Sequence, residues 1–217
     1  MNQEQLQLTL YWAENERSVN LARFDLASAD LSEVDLLGVN LTMANLEKAN
    51  LCGTYLTGAS LTLSNLHKAR LIGANLIGVD LSGVDLRGAD LTEADLGNAD
   101  LREANLGKAN LTDADMYSAD AREAYFAKAD MRKANLAEAR LGWADLREAS
   151  LGEANLRGAD LRGATLRKAY LGGANLSGAN LRETTLSQSY LFRAIYSSDT
   201  IWPDGFNPER SGLILEA

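Results

Sequence analysis

Apolar residues return at every fifth position through most of this chain, and polar residues fill the gaps. Leu21, Leu26, Leu31 and Leu36 begin a series that runs without a slip to Leu191. Of its 35 members, 31 are Leu; the exceptions, Met116, Ala121, Phe126 and Met131, follow one another directly. Two places before each member except Leu26, which has Phe24 there, stands a small or β-branched residue, usually Ala (Ala89, Ala94, Ala99, Ala104), sometimes Val (Val79, Val84). The recurring phrase is A-(D/N)-L-x-x.

A straight α-helix cannot use this period. Successive leucines would lie about 140° apart around its axis and point to every side. A flat strand fails as well, because an odd step sends successive leucines to opposite faces. Burying all of them in one core requires the chain to turn a corner once per phrase. Repeated corners wind the chain into a solenoid with Leu and Ala inside, and exact internal repetition is the sequence mark of solenoids.

The A-(D/N)-L-x-x series resembles the pentapeptide-repeat proteins over about residues 19–195. The resemblance implies an all-β fold, a right-handed, four-sided (quadrilateral) parallel β-helix with one phrase per side and twenty residues per coil. Thirty-five phrases then make nearly nine coils, and at the ordinary strand spacing the rod is about 40 Å long. The four unusual members from Met116 to Met131 fill one coil, in which large Phe126 offsets small Ala121. We number the four sides by their first central residue: face one from Leu21, face two from Leu26, face three from Leu31 and face four from Leu36.

Both termini leave the repeat, giving three expected segments: 1–18, 19–195 and 196–217. An open solenoid end is an exposed edge that invites pairing. Asn2 and Gln5 resemble a capping box, and Leu6, Leu10 and Ala13 share one helical face, so a helix over about residues 3–15 is expected to lid the first coil. In the tail, "WPDGF" predicts a turn at Pro203 and Gly205, and Asn207–Pro208 predicts a helix start. Trp202, Phe206, Leu213 and Leu215 are expected to cover the last coil. A rival use of "LILEA" is dimerisation, since the resemblance extends to gyrase-binding members that pair through their C-terminal ends. A monomer is the favoured expectation.

Charge narrows the partners. The chain carries a net charge of −9, yet the repeat itself carries only −4 of it. Face two has eight basic and five acidic residues, whereas face four has one and four. Some members of the resembled family imitate DNA and engage a topoisomerase such as gyrase. A duplex of about 40 Å carries about 23 negative charges, far more than this repeat. A faithful duplex mimic is therefore not expected, and neither is direct nucleic-acid binding, which calls for a basic surface. There is no apolar run long enough for a membrane span and no basic-then-apolar leader, so a cytoplasmic protein that does not engage a membrane is expected.

Candidate chemistry is sparse. His67 is the only histidine and Cys52 the only cysteine, both at solvent positions without partner clusters. No disulfide, triad or Cys/His metal site can be built from them. Asp80, Asp100 and Asp120 should form a carboxylate ladder on face one. Arg102, Arg122, Glu103 and Glu123 beside it make ion pairing a better expectation than a bound cation. Glycines recurring two places after Leu, such as Gly73, Gly78, Gly83 and Gly88, suit corners of positive φ rather than phosphate binding. No enzyme, cofactor or metal is expected.

What stands out is apolar residues at outward positions in the early coils. Leu37, Tyr55 and Ile77 fall on face four, Met43 and Leu63 on face one, and Ile72 on face three. Trp143 on face one and Tyr117 on face four follow later. The early cluster predicts a partner-binding surface on a non-enzymatic regulatory or scaffold protein. By resemblance to members from photosynthetic bacteria, that partner could be a transcriptional regulator of cell differentiation. The alternatives are the topoisomerase-directed mimic and a structural protein without a specific partner.

Overall fold

The computed structural model describes residues 20–216, and the helix expected over 3–15 lies outside them. Parallel backbone bridges join each residue before a central Leu to the one twenty places on, from Asn20↔Asn40 through Asp100↔Asp120 to Asn175↔Ile195. Twenty residues at five per phrase give four sides to each coil. A corner after every phrase leaves too few extended residues for long strands. The sheets are therefore built of single-residue bridges, and among the described residues the only longer pairing is between the two-residue strands β1 (Ile195–Tyr196) and β2 (Ile214–Leu215).

Each corner is a tight turn. The central Leu accepts from the N–H three residues on, as Leu41 does from Ala44 at 2.9 Å. The second residue after each central position has positive φ, the mark of a type II turn. Glycine fills 11 of these 35 positions, and 24 carry a side chain, including Met43 (φ 57°), Lys108 (60°) and Trp143 (61°). Glycine is thus convenient at the corner rather than obligatory. Each non-glycine residue costs on the order of 1 kcal/mol in the left-handed region, which the surrounding ladder outweighs.

The Asp or Asn before most central residues has its own reason. The residue after Leu sits in the turn, and its N–H is accepted by the Asp or Asn side chain, as in Asn20 to Ala22 (3.0 Å) and Asp80 to Ser82 (3.0 Å). Between coils the backbone bonds run both ways. Leu21 donates to the carbonyl of Asn40 at 2.7 Å, and Asn45 donates to that of Phe24 at 2.9 Å.

Inside, the central residues form a continuous apolar column, fully buried from Leu21 to Leu181. Phe126 is the largest of the wholly buried side chains, and Ala121, on the neighbouring side of the same coil, is equally enclosed. Leu186, near the C-terminal end, is only partly buried. There the register changes: Asn180 pairs with Ile201, twenty-one residues on, and β1 pairs in parallel with β2 through Ile195↔Ile214. The inward pattern continues past residue 195, because Tyr196 and Thr200 are also buried. Trp202, Phe206 and Leu213 pack against the column end, with Trp202 stacked on Phe206 at 4.7 Å. The turn at Gly205 has φ of 78°, and Asn207 caps the short 3-10 helix Pro208–Arg210. Leu215 does not cover the last coil as expected. In β2 it points outward, 58% exposed, since only Leu213 of that segment faces the column.

Candidate interaction surfaces

Three residues of each phrase face outward and stack into columns along the rod. On part of the surface neighbouring columns neutralise each other in pairs. Six aspartates before a central residue are gripped through two nitrogens by the Arg two places on: Asp85–Arg87, Asp100–Arg102, Asp120–Arg122, Asp130–Arg132, Asp145–Arg147 and Asp160–Arg162. The Arg87 hydrogen bonds hold the Asp85 carboxyl below the usual carboxylate range against the opposing effect of burial. Arg102, Arg132, Arg147 and Arg162 do the same for Asp100, Asp130, Asp145 and Asp160. Asn amides link other columns, Asn65 donating to Asn45 (3.0 Å) and Asn45 to Asp25 (2.8 Å).

The face-one carboxylates follow this rule. Asp80 accepts from Ser82 and Thr62, Asp100 pairs with Arg102, and Asp120 holds both Arg122 and Arg140. Glu103 and Glu123 do not take part in ion pairs among the described residues. No group of three or more potential metal ligands occurs among the described residues. His67 and Cys52 are half-buried, their backbone N–H groups held by Asn65 and Asn50. No described helix is long and apolar enough to cross a membrane.

The early apolar residues lie where the lattice places them. Leu37 and Ile77 occupy one column of face four with Thr57 between them, about 10 Å apart at the ordinary coil spacing. Tyr55 stands in the neighbouring column, bridged to Asp35 and Asn75. Leu37 is 61% exposed, Tyr55 57% and Ile77 38%. Met43 and Leu63 are exposed in adjacent coils of face one, and the Leu63 side chain leans over Gly83. Ile72 sits apart on face three and is half-buried, so it joins neither group.

A second apolar region lies near the C-terminal end of face three. Tyr170 and Tyr190, one coil apart, stack with ring centres 4.9 Å apart and planes 7° from parallel; Phe192 leans on Tyr190 at 6.2 Å. Gly152 and Gly172 leave room for the Tyr170 ring, since a Cβ on either would come within 3.0 Å of it. Ile214 of β2 borders the same groove, which measures about 400 Å³. This cluster was missed in the sequence. Its signal was there, two tyrosines twenty residues apart in a column that elsewhere holds Asp, Asn, Ser or Arg.

The family model for pentapeptide repeats (8 copies) matches residues 17–47, 44–83, 80–117, 114–152 and 154–195. The chain belongs to the pentapeptide-repeat family. It is similar to the crystal structure of HetL, a pentapeptide-repeat protein involved in heterocyst differentiation regulation from the cyanobacterium Nostoc sp. strain PCC 7120. That likeness spans 96% of this chain and 92% of HetL at 30% identity, with a TM-score of 0.66. It also resembles a trypsin-treated form of QnrB1, a plasmid-mediated fluoroquinolone resistance protein, over 92% of each chain at 18% identity, with a TM-score of 0.55. The second likeness speaks for the fold alone. Both imply the right-handed quadrilateral β-helix for this pentapeptide-repeat chain. Among curated proteins nothing matches it.

Proposed function

We propose that this pentapeptide-repeat protein is a non-enzymatic, cytoplasmic protein–protein interaction module that docks a partner on its rigid β-helix surface. The observation that carries this reading is the exposed group Leu37, Tyr55 and Ile77 on face four, with Met43 and Leu63 around the corner on face one. Clustered apolar exposure on an otherwise polar surface marks a binding site. A preformed backbone, bonded coil to coil, loses little conformational entropy when a partner settles on it. The likeness to HetL supports a regulatory role, with a transcriptional regulator of cell differentiation as the leading kind of partner.

The rival reading, a duplex mimic aimed at a type II topoisomerase such as gyrase, draws on the net charge of −9. The six Asp–Arg pairs weigh against it, because they cancel charge where a mimic needs it uncompensated. Affinity capture from the source organism, using the wild type and the Leu37→Asp/Ile77→Asp variant, tests the proposal. A partner held by the wild type and lost by the variant is expected; equal capture by both would remove face four from the reading. Inhibition or protection of gyrase supercoiling by micromolar protein would favour the mimic instead.

A further inference from the structure

Lysine gathers in one column of this rod. The second residue after each central position of face two, at the corner with face three, is Lys in five of nine coils: Lys48, Lys68, Lys108, Lys128 and Lys168. Only Glu148 in this column is acidic. All five lysines are exposed and hold the left-handed corner conformation, at φ of 56° to 62°. The fold does not ask for them there. The same corner of face four holds glycine in five coils, from Gly38 to Gly178, where that conformation is free of strain. The gap at Gly88 is partly bridged. Lys68 leans over it, with its Cγ 3.6 Å from where a Cβ would stand, as the Trp143 ring lies over Gly163.

The positive charge of this strip is not cancelled. Past the first coil, where Asp25 and Asp30 stand, face two carries eight basic residues and four acidic ones. Each of those acids is already held, Glu47 by Lys48, Asp85 by Arg87, Asp145 by Arg147 and Glu148 by Lys128. Lys68, Lys108, Arg167 and Lys168 take part in no ion pair among the described residues. Across the corner, the first column of face three adds Arg70 against Asp90 and Asp130, and Arg132 holds Asp130. With every partner counted, the strip has ten basic residues to six acidic, on a chain whose net charge is −9. Glu103 and Glu123 stand at the opposite edge of face two, a full side away.

We propose that this lysine ridge docks an acidic, extended segment of a partner polypeptide. This rests on the reading of the rod as an interaction module and gives its partner a chemical character. From Lys48 to Lys168 the ridge spans six coils, about 29 Å, the length of about nine extended residues. Carboxylates on such a segment meet ammonium groups carried by a rigid backbone, which speeds encounter and fixes register. A nucleic acid fits less well. The ridge has no column of aromatic side chains on which bases could stack, and Arg87 and Arg147 are locked onto their aspartates. A duplex would also press its phosphates on face three, which carries four basic and seven acidic residues. The ridge faces away from Leu37, Tyr55 and Ile77, so binding at one leaves the other open.

Fluorescence anisotropy of a labelled nonaglutamate peptide on the wild-type protein tests the inference. Binding is expected, and it should weaken at least tenfold in Lys68→Gln/Lys108→Gln/Lys128→Gln and between about 0.05 M and about 0.5 M salt. Lys133→Gln/Arg157→Gln/Arg182→Gln removes the same charge from the other three faces, and should change binding less than twofold. A nonaglutamine peptide should not bind. Failure of nonaglutamate to bind, equal binding of nonaglutamine, or equal losses in the two triple variants would overturn the ridge. So would tighter binding of single-stranded nonathymidylate, which would make the occupant a nucleic acid. Leu37→Asp/Ile77→Asp should bind nonaglutamate as the wild type does. If partner capture needs Leu37 and Ile77 while the peptide is not retained, the interaction reading stands and the ridge falls. If the peptide is retained while capture ignores Leu37 and Ile77, the ridge stands and face four falls.

Discussion

The inner column and the outer lattice of this rod obey different rules, although they alternate within every phrase. Inside, one residue type recurs because each position meets the same walls, and 31 of 35 central residues are Leu. Outside, the columns between them accept Asp, Arg, Gly, Tyr and Trp with almost no change in backbone. Left-handed φ at the corner stays near 60° whether the residue is Glu103 (59°), Lys128 (62°) or Trp143 (61°). The interior therefore specifies the fold, and the exterior is free to vary with function.

The sharpest way to break that division is to attack the one coil whose interior departs from Leu. Phe126→Ala should cost about 3–5 kcal/mol by leaving a cavity in the column, read as the loss of unfolding free energy in urea. Ala121→Leu alone should cost about 1–3 kcal/mol through overpacking. If the two residues compensate, Ala121→Leu/Phe126→Leu should recover most of both losses; a purely additive double variant would show that they do not share space.

A smaller effect separates packing from hydrogen bonding in the same wall. Ser64 is buried in a position that usually holds Ala, and its hydroxyl has no partner. Ser64→Ala should raise stability by about 1 kcal/mol, since an unsatisfied buried hydroxyl costs that order. On the outer lattice, Gly163→Ala should cost about 1 kcal/mol by placing a Cβ at a φ of 67°. It should also lift the Trp143 indole from its seat, visible as a change in tryptophan fluorescence.

The Asp–Arg lattice predicts a pH dependence of modest size. The folded carboxyls of Asp85, Asp100, Asp130, Asp145 and Asp160 sit below their unfolded value. Their contribution is complete above the unfolded aspartate range, about pH 4, and is lost as pH falls through the depressed folded values. The melting temperature should be nearly flat from neutral pH down to that range and decline below it. Because these pairs are partly exposed, replacing any single arginine, such as Arg102→Ala, should cost less than about 1 kcal/mol. Least of all, Leu37→Asp should alter stability by under about 0.5 kcal/mol, while on the proposed function it abolishes partner capture.

The solenoid was legible because burial imposes a period, and a period of five admits few other folds. The pairing of residues twenty apart follows the same logic once four sides are granted. Less legible was the C-terminal end, where the step from Asn180 to Ile201 gains a residue and Leu215 turns outward. No periodicity predicts where a period lapses. The surface was legible only column by column. Leu37 and Ile77 stood out as apolar letters among polar ones, whereas Tyr170 and Tyr190 form a site only because a twenty-residue step stacks their rings. Trp143 could be placed on face one from its number alone, but its rest on Gly163 required the coordinates.

The ladder in which each residue bonds to a counterpart twenty places away has a further consequence for evolution. A coil touches only the coil before and the coil after it, so whole coils are interchangeable units of length. Deleting or duplicating one would slide two surface features together or apart in steps of about 4.8 Å without rotating either out of its face. The distance between contact points on such a protein is thus quantised, and a partner that spans several of them measures the rod by counting its turns.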